Sequence, residues 1–281
     1  MDKSFLTPAE IAESFIETGY KKATLSVFKM FVLGILGGAF IAFAAVGSTT
    51  AIHTIDSAGI AKALAGAIFS GGLMMVVIAG AELFTGNCLI AISVAERRAS
   101  WVKMLKNWLF VYLGNFVGAM LIVFLIQQSG QLDMSKYLLG GFTIEIAVKK
   151  VSMTFGNAFC LGILCNWLVC IAIWMAAGAK DIAGKILAIF FPIWLFIASG
   201  FEHSVANMYY IPAGILAKAN PAYVNAAISL GISQEKIDAL NWGSFFTQNL
   251  LPVTLGNIVG GVLFVGMVYW LAYVRKRKAQ P

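Results

Sequence analysis

Two octapeptides decide the fold of this chain: Gly80-Ala81-Glu82-Leu83-Phe84-Thr85-Gly86-Asn87 and Gly200-Phe201-Glu202-His203-Ser204-Val205-Ala206-Asn207. They share the pattern G-x-E-x4-N, and each places a glutamate deep in an apolar run. Two further matches follow the same order, Leu33-Gly34-Ile35-Leu36 with Leu161-Gly162-Ile163-Leu164, and Leu113-Gly114-Asn115-Phe116-Val117-Gly118 with Leu255-Gly256-Asn257-Ile258-Val259-Gly260. Three matches in one order indicate an internal duplication.

The composition indicates that a membrane is the solvent. Hydrophobic residues make up 60% of the 281 residues, charged residues 12%, and the mean hydropathy is +0.84, which leaves too little polar surface for a soluble globule. Apolar stretches long enough for a helix to cross about 30 Å of hydrocarbon lie near residues 30–49, 63–93, 108–127, 157–178, 186–216 and 249–273. The second and fifth stretches are too long for one simple crossing.

These observations predict an all-α membrane protein with six spans in a channel domain, 29–273. Each half, about 29–127 and 157–273, contains three spans, so the second half enters the membrane from the opposite side. Inverted repeats place the substrate path at their interface, lined by discontinuous helices. Irregular backbone at membrane depth needs protein or a water-filled cavity to satisfy its polar groups. We therefore expect broken second and fifth helices at the two octapeptides, facing a pore near the midplane.

Basic residues predict the orientation of the chain. The N-terminus, the loops 94–107 and 179–185, and the tail hold 14 of the 20 Lys and Arg residues, so the positive-inside rule places both termini in the cytoplasm. This bias accounts for the net charge of +7 without nucleic-acid binding. No secretory signal is visible before the first span.

The two ends of the chain are predicted to lie outside the channel domain. Residues 1–28 are expected to form a cytoplasmic amphipathic helix on the membrane face, started by Thr7, Pro8 and Glu10 as a capping box. Residues 274–281 are expected to form a basic cytoplasmic tail.

Metal and cofactor binding are not expected. Cys88, Cys160, Cys165 and Cys170 all fall in apolar segments, and none is paired with a His or a second Cys at zinc-finger spacing. The four thiols are interpreted as small buried hydrophobic groups.

Three ionisable residues in the octapeptides are the first candidates for a site. Glu82 and Glu202 are costly in a membrane and therefore functional candidates. A carboxylate beside a helix break can also accept the free N–H groups of the half-helix that follows, and this capping role is the one we predict. His203 lies in the second break, where an imidazole could offer a proton or a hydrogen bond to a passing oxyanion.

Other polar residues stand in apolar surroundings or at a pore mouth. Thr85, Asn166 and Asn257 could orient His203 or bind a permeant ion, or they could act as interhelical polar contacts. Lys149 and Lys150 precede span four on the outer side, where a cation concentrates anions. Ordinary snorkelling lysines are the competing interpretation. His53 is assigned no role.

Four stretches resemble the formate/nitrite transporter family over essentially the whole chain. They are Val77-Ile78-Ala79-Gly80-Ala81-Glu82-Leu83-Phe84-Thr85-Gly86, Gly162-Ile163-Leu164-Cys165-Asn166-Trp167-Leu168-Val169-Cys170, Phe201-Glu202-His203-Ser204-Val205-Ala206-Asn207-Met208 and Pro252-Val253-Thr254-Leu255-Gly256-Asn257. The resemblance implies an aquaporin-like protomer, a homopentamer with one pore per protomer, and a bent gating loop at Leu83, Phe84 and Thr85.

The resemblance also implies roles for individual residues. His203 would be the central histidine, with Thr85 and Asn257 as hydrogen-bonding partners, and Lys150 the outer-vestibule lysine. Apolar constrictions would fall on Phe69, Leu73, Leu83, Phe84, Val169 and Phe196.

The function expected from this resemblance is a multi-pass channel of the cytoplasmic membrane for small monovalent anions. The 217–248 loop and the stretches 208–212 and 249–254 look more like formate channels than like nitrite or hydrosulfide channels. Whether protons accompany the anion is left open.

Three rival functions stay open at this point. An aquaporin-like channel for neutral solutes is disfavoured because paired Asn-Pro-Ala motifs are absent. A membrane enzyme could use Glu82, Glu202 and His203 as acid and base groups, but no nucleotide loop, metal-ligand pair or nucleophile accompanies them. A scaffolding protein would give no reason for two matched helix breaks.

Overall fold

The fold is all-α, as predicted. The computed structural model describes residues 5–275, and most of the predicted basic tail, 276–281, lies outside them. The first half of the chain contains α1 (Pro8–Ala23), α2 (Val27–Ile52), α3 (Ala58–Met74, continued by a π-helical segment Met75–Gly80), α4 (Phe84–Asn87), α5 (Ile90–Ala95), α6 (Trp101–Gln128) and a 3-10 turn Gln131–Asp133.

The second half repeats this order and adds short helices before its last span. Its elements are α7 (Leu138–Val151), α8 (Phe155–Gly178), α9 (Ile182–Ala198), α10 (Ser204–Ala217), α11 (Pro221–Ser229), α12 (Gln234–Ala239), α13 (Trp242–Ser244) and α14 (Leu251–Val259). A π-helical segment, Phe245–Leu250, precedes α14, and two more, Gly260–Met267 and Trp270–Val274, follow it.

Within residues 5–275, five helices are long and apolar enough to cross a membrane: Val27–Ile52, Ala58–Gly80, Trp101–Gln128, Phe155–Gly178 and Trp242–Val274. The fifth of the six predicted spans is divided between α9, with 17 residues, and α10, with 14. Neither piece alone has the roughly 20 residues that a full crossing needs. Residues 81–83 and 199–203 are the non-helical breaks, and both fall within or beside the two octapeptides.

The matched tetrapeptides mark two close helix crossings. A Cβ on Gly34 of α2 would lie 3.2 Å from the Cα of Gly114 on α6, and a Cβ on Gly162 of α8 would lie 3.3 Å from the Cα of Gly256 on α14. Small residues let the two backbones of each pair approach closely. The repeated glycines are therefore explained by the same packing in both halves.

Helix α1 begins as predicted, and its apolar side packs on the rest of the protein. Thr7 and Glu10 form the reciprocal capping box, with Pro8 in the first turn. The apolar side of the helix is buried, and the ring of Phe15 stacks on Trp174 of α8 at 5.2 Å between centroids. The apolar face is thus covered by the protein, and the position of the helix relative to the membrane face stays a prediction.

Candidate functional site

Both helix breaks start at a glycine in the left-handed region. Gly80 has φ +89° and Gly200 has φ +73°, where a Cβ would strain the backbone. The N–H of the following residue turns back to the carbonyl five residues earlier, at 2.9 Å in the first break and 3.1 Å in the second. This ends each helix with a Schellman-like turn, after which the chain continues in extended conformation.

One asparagine supports the backbone of each break. Asn115 of α6 donates from Nδ2 to the carbonyls of Gly34 (2.7 Å) and Glu82 (2.9 Å), and its Oδ1 accepts the N–H of Phe84 (3.0 Å). One side chain thereby joins α2, the break and the start of α4.

The second half has the same bridge. Asn257 of α14 donates to the carbonyls of Gly162 (2.8 Å) and Glu202 (3.0 Å), and its Oδ1 accepts the N–H of Ser204 (2.9 Å). Both asparagines are fully buried. The matched hexapeptides of the sequence therefore encode matched supports for irregular backbone at membrane depth.

The glutamate of the first break is held in a cluster that we call the α1 site, made of Lys22, Glu82, Asn87 and Asn107. Lys22 Nζ lies 2.6 Å from Glu82 Oε1 and donates to Asn87 Oδ1 at 3.1 Å. Asn87 Nδ2 donates to Glu82 Oε2 (2.7 Å) and to Asn107 Oδ1 (2.8 Å), and Asn107 Nδ2 donates to the Lys22 carbonyl (3.0 Å).

The glutamate of the second break is held in the matching α7 site, made of Lys150, Glu202, Asn207 and Asn249. Lys150 Nζ lies 2.7 Å from Glu202 Oε1, and Asn207 Nδ2 donates to Glu202 Oε2 (2.6 Å) and Asn249 Oδ1 (2.7 Å). Asn249 Nδ2 donates to the Lys150 carbonyl at 3.0 Å. Each buried carboxylate is thus paired and hydrogen-bonded, which is the condition for burying a charge.

The predicted capping role of Glu82 and Glu202 is wrong. Their carboxylates accept hydrogen bonds from lysine and asparagine side chains, and Asn115 and Asn257 take the N–H groups at the starts of α4 and α10. An ammonium within reach is a stronger partner for a carboxylate than a neutral N–H, and α1 and α7 each supply one.

Lys150 lies in the α7 site rather than standing as an isolated cation. Its side chain is 15% exposed, and its ammonium is bound to Glu202 and lies 5.2 Å from the ring centre of Tyr210. Lys149, next to it, pairs with Glu145 on the exposed face of α7 at 2.5 Å.

His203 lies at the start of α10 and joins the two breaks. Its Nδ1 lies 3.0 Å from the Ala206 N–H, and its Nε2 lies 3.0 Å from the hydroxyl of Thr85 on α4. The imidazole is buried and stacks on Phe196, with ring centroids 6.1 Å apart. Thr85 is therefore a partner of His203, as predicted.

Asn166 and Asn257 act on the framework around this pair. Asn257 is occupied by the three backbone groups described above, so its predicted hydrogen bond to His203 is wrong. Asn166 Nδ2 donates to the carbonyls of Thr85 (3.1 Å) and Asn257 (2.6 Å). It holds the residue that contacts His203, which agrees with the interpretation as an interhelical contact.

A small cavity lies beside the imidazole. It offers about 10 Å³ to the centre of a water-sized sphere, which is about the room of one water molecule. The residues that line it are Ile41, Phe69, Leu73, Leu83, Val169, Ile193, Phe196 and His203. Five of the six predicted constriction residues meet here, and Ile41 and Ile193 complete the apolar wall.

Phe84 is the exception among the predicted constriction residues. It is the first residue of α4, and its ring packs against Tyr112 (4.8 Å) and Trp108 (5.9 Å) of α6, away from the small cavity. The non-helical part of the predicted loop is 81–83, so Leu83 alone of the three expected residues belongs to it.

A larger cavity of about 230 Å³ lies on the α1 side, and we call it the α1 vestibule. Its wall is formed by α1, including Thr18 and Lys22, by the break from Gly80 to Leu83, and by the ends of α8 and α9. Leu83 also lines the small cavity. Leu83 is therefore the residue that the two cavities share.

A model of the family described as "Formate/nitrite transporter" matches residues 9–271. The chain belongs to the formate/nitrite transporter family. The formate channel FocA of Escherichia coli (strain K12) is 42% identical over 276 residues, which are 96% of this chain and 95% of that protein. A probable formate transporter of Methanothermobacter thermautotrophicus is 38% identical over 98% of this chain and 100% of that protein.

Solved structures of formate/nitrite transporters share the fold. A pentameric formate channel with formate bound superposes with a TM-score of 0.80 at 38% identity, over 88% of this chain and 98% of that one. An ion channel of the same family gives a TM-score of 0.77 at 30% identity, over 93% of this chain and 98% of that one. Together with the apolar helices, these matches make this formate/nitrite transporter a multi-pass membrane protein.

Sequence reasoning missed most of the two polar sites of this transporter, although a signal was present. Lys22 precedes Leu33 by eleven residues, as Lys150 precedes Leu161, and Asn107 and Asn249 each stand eight residues before the bridging asparagine. Extending the alignment of the halves beyond the apolar spans would have found them.

Proposed function

We propose that this protein is a channel for small monovalent weak-acid anions, with formate as the main permeant. It works as a homopentamer with one pore in each protomer, formed between two inverted halves. It lies in the cytoplasmic membrane, with both termini and the α1 side in the cytoplasm. It carries out no chemical reaction on what it conducts.

The observation that carries this proposal is one polar pair in an apolar constriction. The hydroxyl of Thr85 and the imidazole of His203 lie 3.0 Å apart, and His203 lines a cavity whose other walls are apolar side chains. Apolar walls oppose a hydrated ion, and donors placed at the constriction replace part of the hydration shell of an ion that fits. Such a site suits an anion small enough to shed its water.

The hydrogen bonds define which proton of His203 is available. A backbone N–H can only donate, so Nδ1 accepts from Ala206, and a neutral imidazole carries its hydrogen on Nε2. A proton added at Nδ1 would break this cap and put positive charge at the N-terminus of α10, against the helix dipole. We therefore assign His203 the role of a neutral hydrogen-bond donor to the passing anion.

The orientation rests on the basic residues. Arg97 and Arg98 lie between α5 and α6, and Lys103 and Lys106 lie in the first two turns of α6, on the same side as the lysines of α1. Cytoplasmic loops of membrane proteins carry such an excess of Lys and Arg.

The choice of formate rests on the relatives. Proteins named as formate channels include those of Escherichia coli and, at 35% identity over 97% of this chain, BtFdhC of Bacillus thuringiensis. Nitrite and hydrosulfide are the alternative permeants within the family. A pentamer is named for the solved formate channel that superposes on this chain.

The test is flux into liposomes that contain the purified protein, between about pH 5 and pH 8. Formate, nitrite, hydrosulfide, chloride and glycerol are compared for wild type, His203→Ala and protein-free liposomes. We expect formate to enter fastest, unchanged chemically, and the variant to lose rate or selectivity. Glycerol flux alone would favour a neutral-solute channel, a chemically altered permeant would favour an enzyme, and no flux through folded protein would favour a scaffold.

A further inference from the structure

The charges of the α1 vestibule are not balanced. Its wall contains two lysines, Lys22 and Lys185, and no carboxylate. The ammonium of Lys22 is matched by the Glu82 carboxylate at 2.6 Å, behind the wall, and by Asn87. Lys185 has no ion pair within the described residues 5–275. The unmatched positive charge of this cavity is therefore that of Lys185.

The position of Lys185 is fixed by the start of α9. Asp181 caps the helix by accepting the Gly184 N–H at 2.7 Å, and the Lys185 N–H bonds to the Asp181 carbonyl at 3.1 Å. Lys185 thus stands in the first helical turn, half-buried, with its side chain at the cavity. Asp181 is exposed and does not line the vestibule.

We propose that Lys185 is the residue that gathers anions in the α1 vestibule before they reach Leu83. This inference rests on the proposed function and adds a residue and a binding step to it. The ligand class is a small monovalent anion, held by charge in a cavity of about 230 Å³. Lys22 serves a different purpose, because its charge is taken up in tying α1 to the break at Glu82.

The physical basis is the field of one cation in a confined cavity. A unit charge about 7 Å away changes the local concentration of a monovalent ion about threefold at the dielectric constant of water, and apolar walls strengthen the effect. Phe15, Val76, Leu83 and Ile173 supply such walls. Salt weakens the field, since the Debye length is about 10 Å at 0.1 M ionic strength.

The field can be measured without any conduction. Ala177 lines the vestibule and is partly exposed, so Ala177→Cys places a reporter thiol there. Cys160→Ser removes the one exposed native cysteine among residues 5–275, whereas Cys88, Cys165 and Cys170 are buried. The readout is the ratio of reaction rates with a negatively and a positively charged methanethiosulfonate of similar size, at low ionic strength.

Three lysine variants are compared: Lys185→Gln, Lys185→Arg and the control Lys180→Gln. Lys180 is an exposed lysine just before α9 that does not line the cavity. We expect Lys185→Gln to lower the anion-to-cation ratio about tenfold, because the two reagents respond in opposite directions. Lys185→Arg and Lys180→Gln should keep the ratio.

Flux measurements complete the test from the cytoplasmic side. In everted vesicles, Lys185→Gln should raise the half-saturating formate concentration about threefold at low salt and lose most of its salt dependence. An unchanged thiol-reaction ratio in Lys185→Gln, or an equal loss in Lys180→Gln, overturns the proposal. Either result would contradict the role of Lys185 and leave the proposed function unaffected. Absence of formate flux in wild type would contradict the proposed function, whereas the thiol-reaction ratio would still report the charge of the cavity.

Discussion

The α1 and α7 sites, each taken with its bridging asparagine, form the same polar framework around different residues of the small cavity. A lysine, a glutamate and three asparagines correspond one to one, with distances that agree within a few tenths of an ångström. The residue after each glutamate differs: Leu83 in the first half and His203 in the second. The framework satisfies the backbone groups and the buried charge in both halves, whereas the residue that lines the small cavity differs between them.

Loss of either bridging asparagine should have the largest effect. Asn257→Ala removes a donor from the carbonyls of Gly162 and Glu202 and leaves the Ser204 N–H without its acceptor, and Asn115→Ala does the same in the other half. A buried N–H left unsatisfied costs about 1–3 kcal/mol and each further hydrogen bond lost about 1 kcal/mol, so we expect about 4 kcal/mol of destabilisation in both cases. Thermal unfolding in detergent measures it, with the exposed Asn157→Ala as control. If only one of the two variants is destabilised, the two frameworks are not equivalent.

Neutralising the glutamate should destabilise the protein more in the α7 site than in the α1 site. Lys150 and Glu202 side chains are 15% and 5% exposed, against 31% and 8% for Lys22 and Glu82. Removing one partner of a buried pair costs about 3–5 kcal/mol, so we expect about 3 kcal/mol for Glu202→Gln and less for Glu82→Gln, where water screens the lysine.

The double variant Lys150→Met with Glu202→Gln sharpens this comparison. It removes both charges, so it should recover most of the thermal stability that Glu202→Gln loses. If the double variant unfolds at the same temperature as Glu202→Gln, the stabilising effect of the Glu202 carboxylate does not come from its ion pair with Lys150.

Exchange of the divergent pore residue should change flux more than stability. His203→Leu gives both breaks a leucine, removes the donor to the anion and should slow formate flux about 10- to 100-fold, the worth of a hydrogen bond to a charged group at about 1.5–3 kcal/mol. Stability should fall by about 1 kcal/mol through loss of the cap on α10. Stopped-flow flux and thermal unfolding are measured on the same preparation. Formate flux at the wild-type rate in this variant would contradict the role of His203 in conduction.

The smallest effect is expected at Phe84. Its ring packs on Tyr112 and Trp108 rather than on the small cavity, so Phe84→Leu should keep formate flux within about twofold of wild type, because it leaves the cavity wall unchanged. Phe196→Leu makes the same chemical change at the cavity wall and should alter rate or selectivity. If both substitutions change formate flux equally, Phe84 also belongs to the constriction.

The sequence was sufficient for the features that periodicity and duplication encode. Apolar length predicted the five helices that are long enough to cross a membrane, whereas the fifth predicted span is divided between α9 and α10. The repeated Gly-x-Glu pattern predicted both breaks, because a helix end in the left-handed region favours glycine, as at Gly80 and Gly200. The family resemblance placed Phe69, Leu73, Leu83, Val169 and Phe196 together, and the structure shows them around one cavity.

Partner choice was the part that the sequence could not supply. Glu82 and Glu202 could have capped the half-helices, and only the fold shows that α1 and α7 bring a lysine to each. The direction of the Phe84 ring depends on where α4 begins. Phe84 is the first helical residue and Leu83 the last non-helical one, so their side chains point to different surroundings. The extra role of Asn257 in the backbone left it unable to reach His203.

The most direct test of the central claim asks whether anions pass between Leu83 and His203. Leu83→Cys in a Cys160→Ser background places a thiol where the α1 vestibule meets the small cavity. Formate flux into liposomes is recorded before labelling with a small methanethiosulfonate, after labelling, and after reduction. The account predicts that labelling stops flux and that reduction restores it. Fully labelled protein that still conducts formate at the unlabelled rate would contradict it.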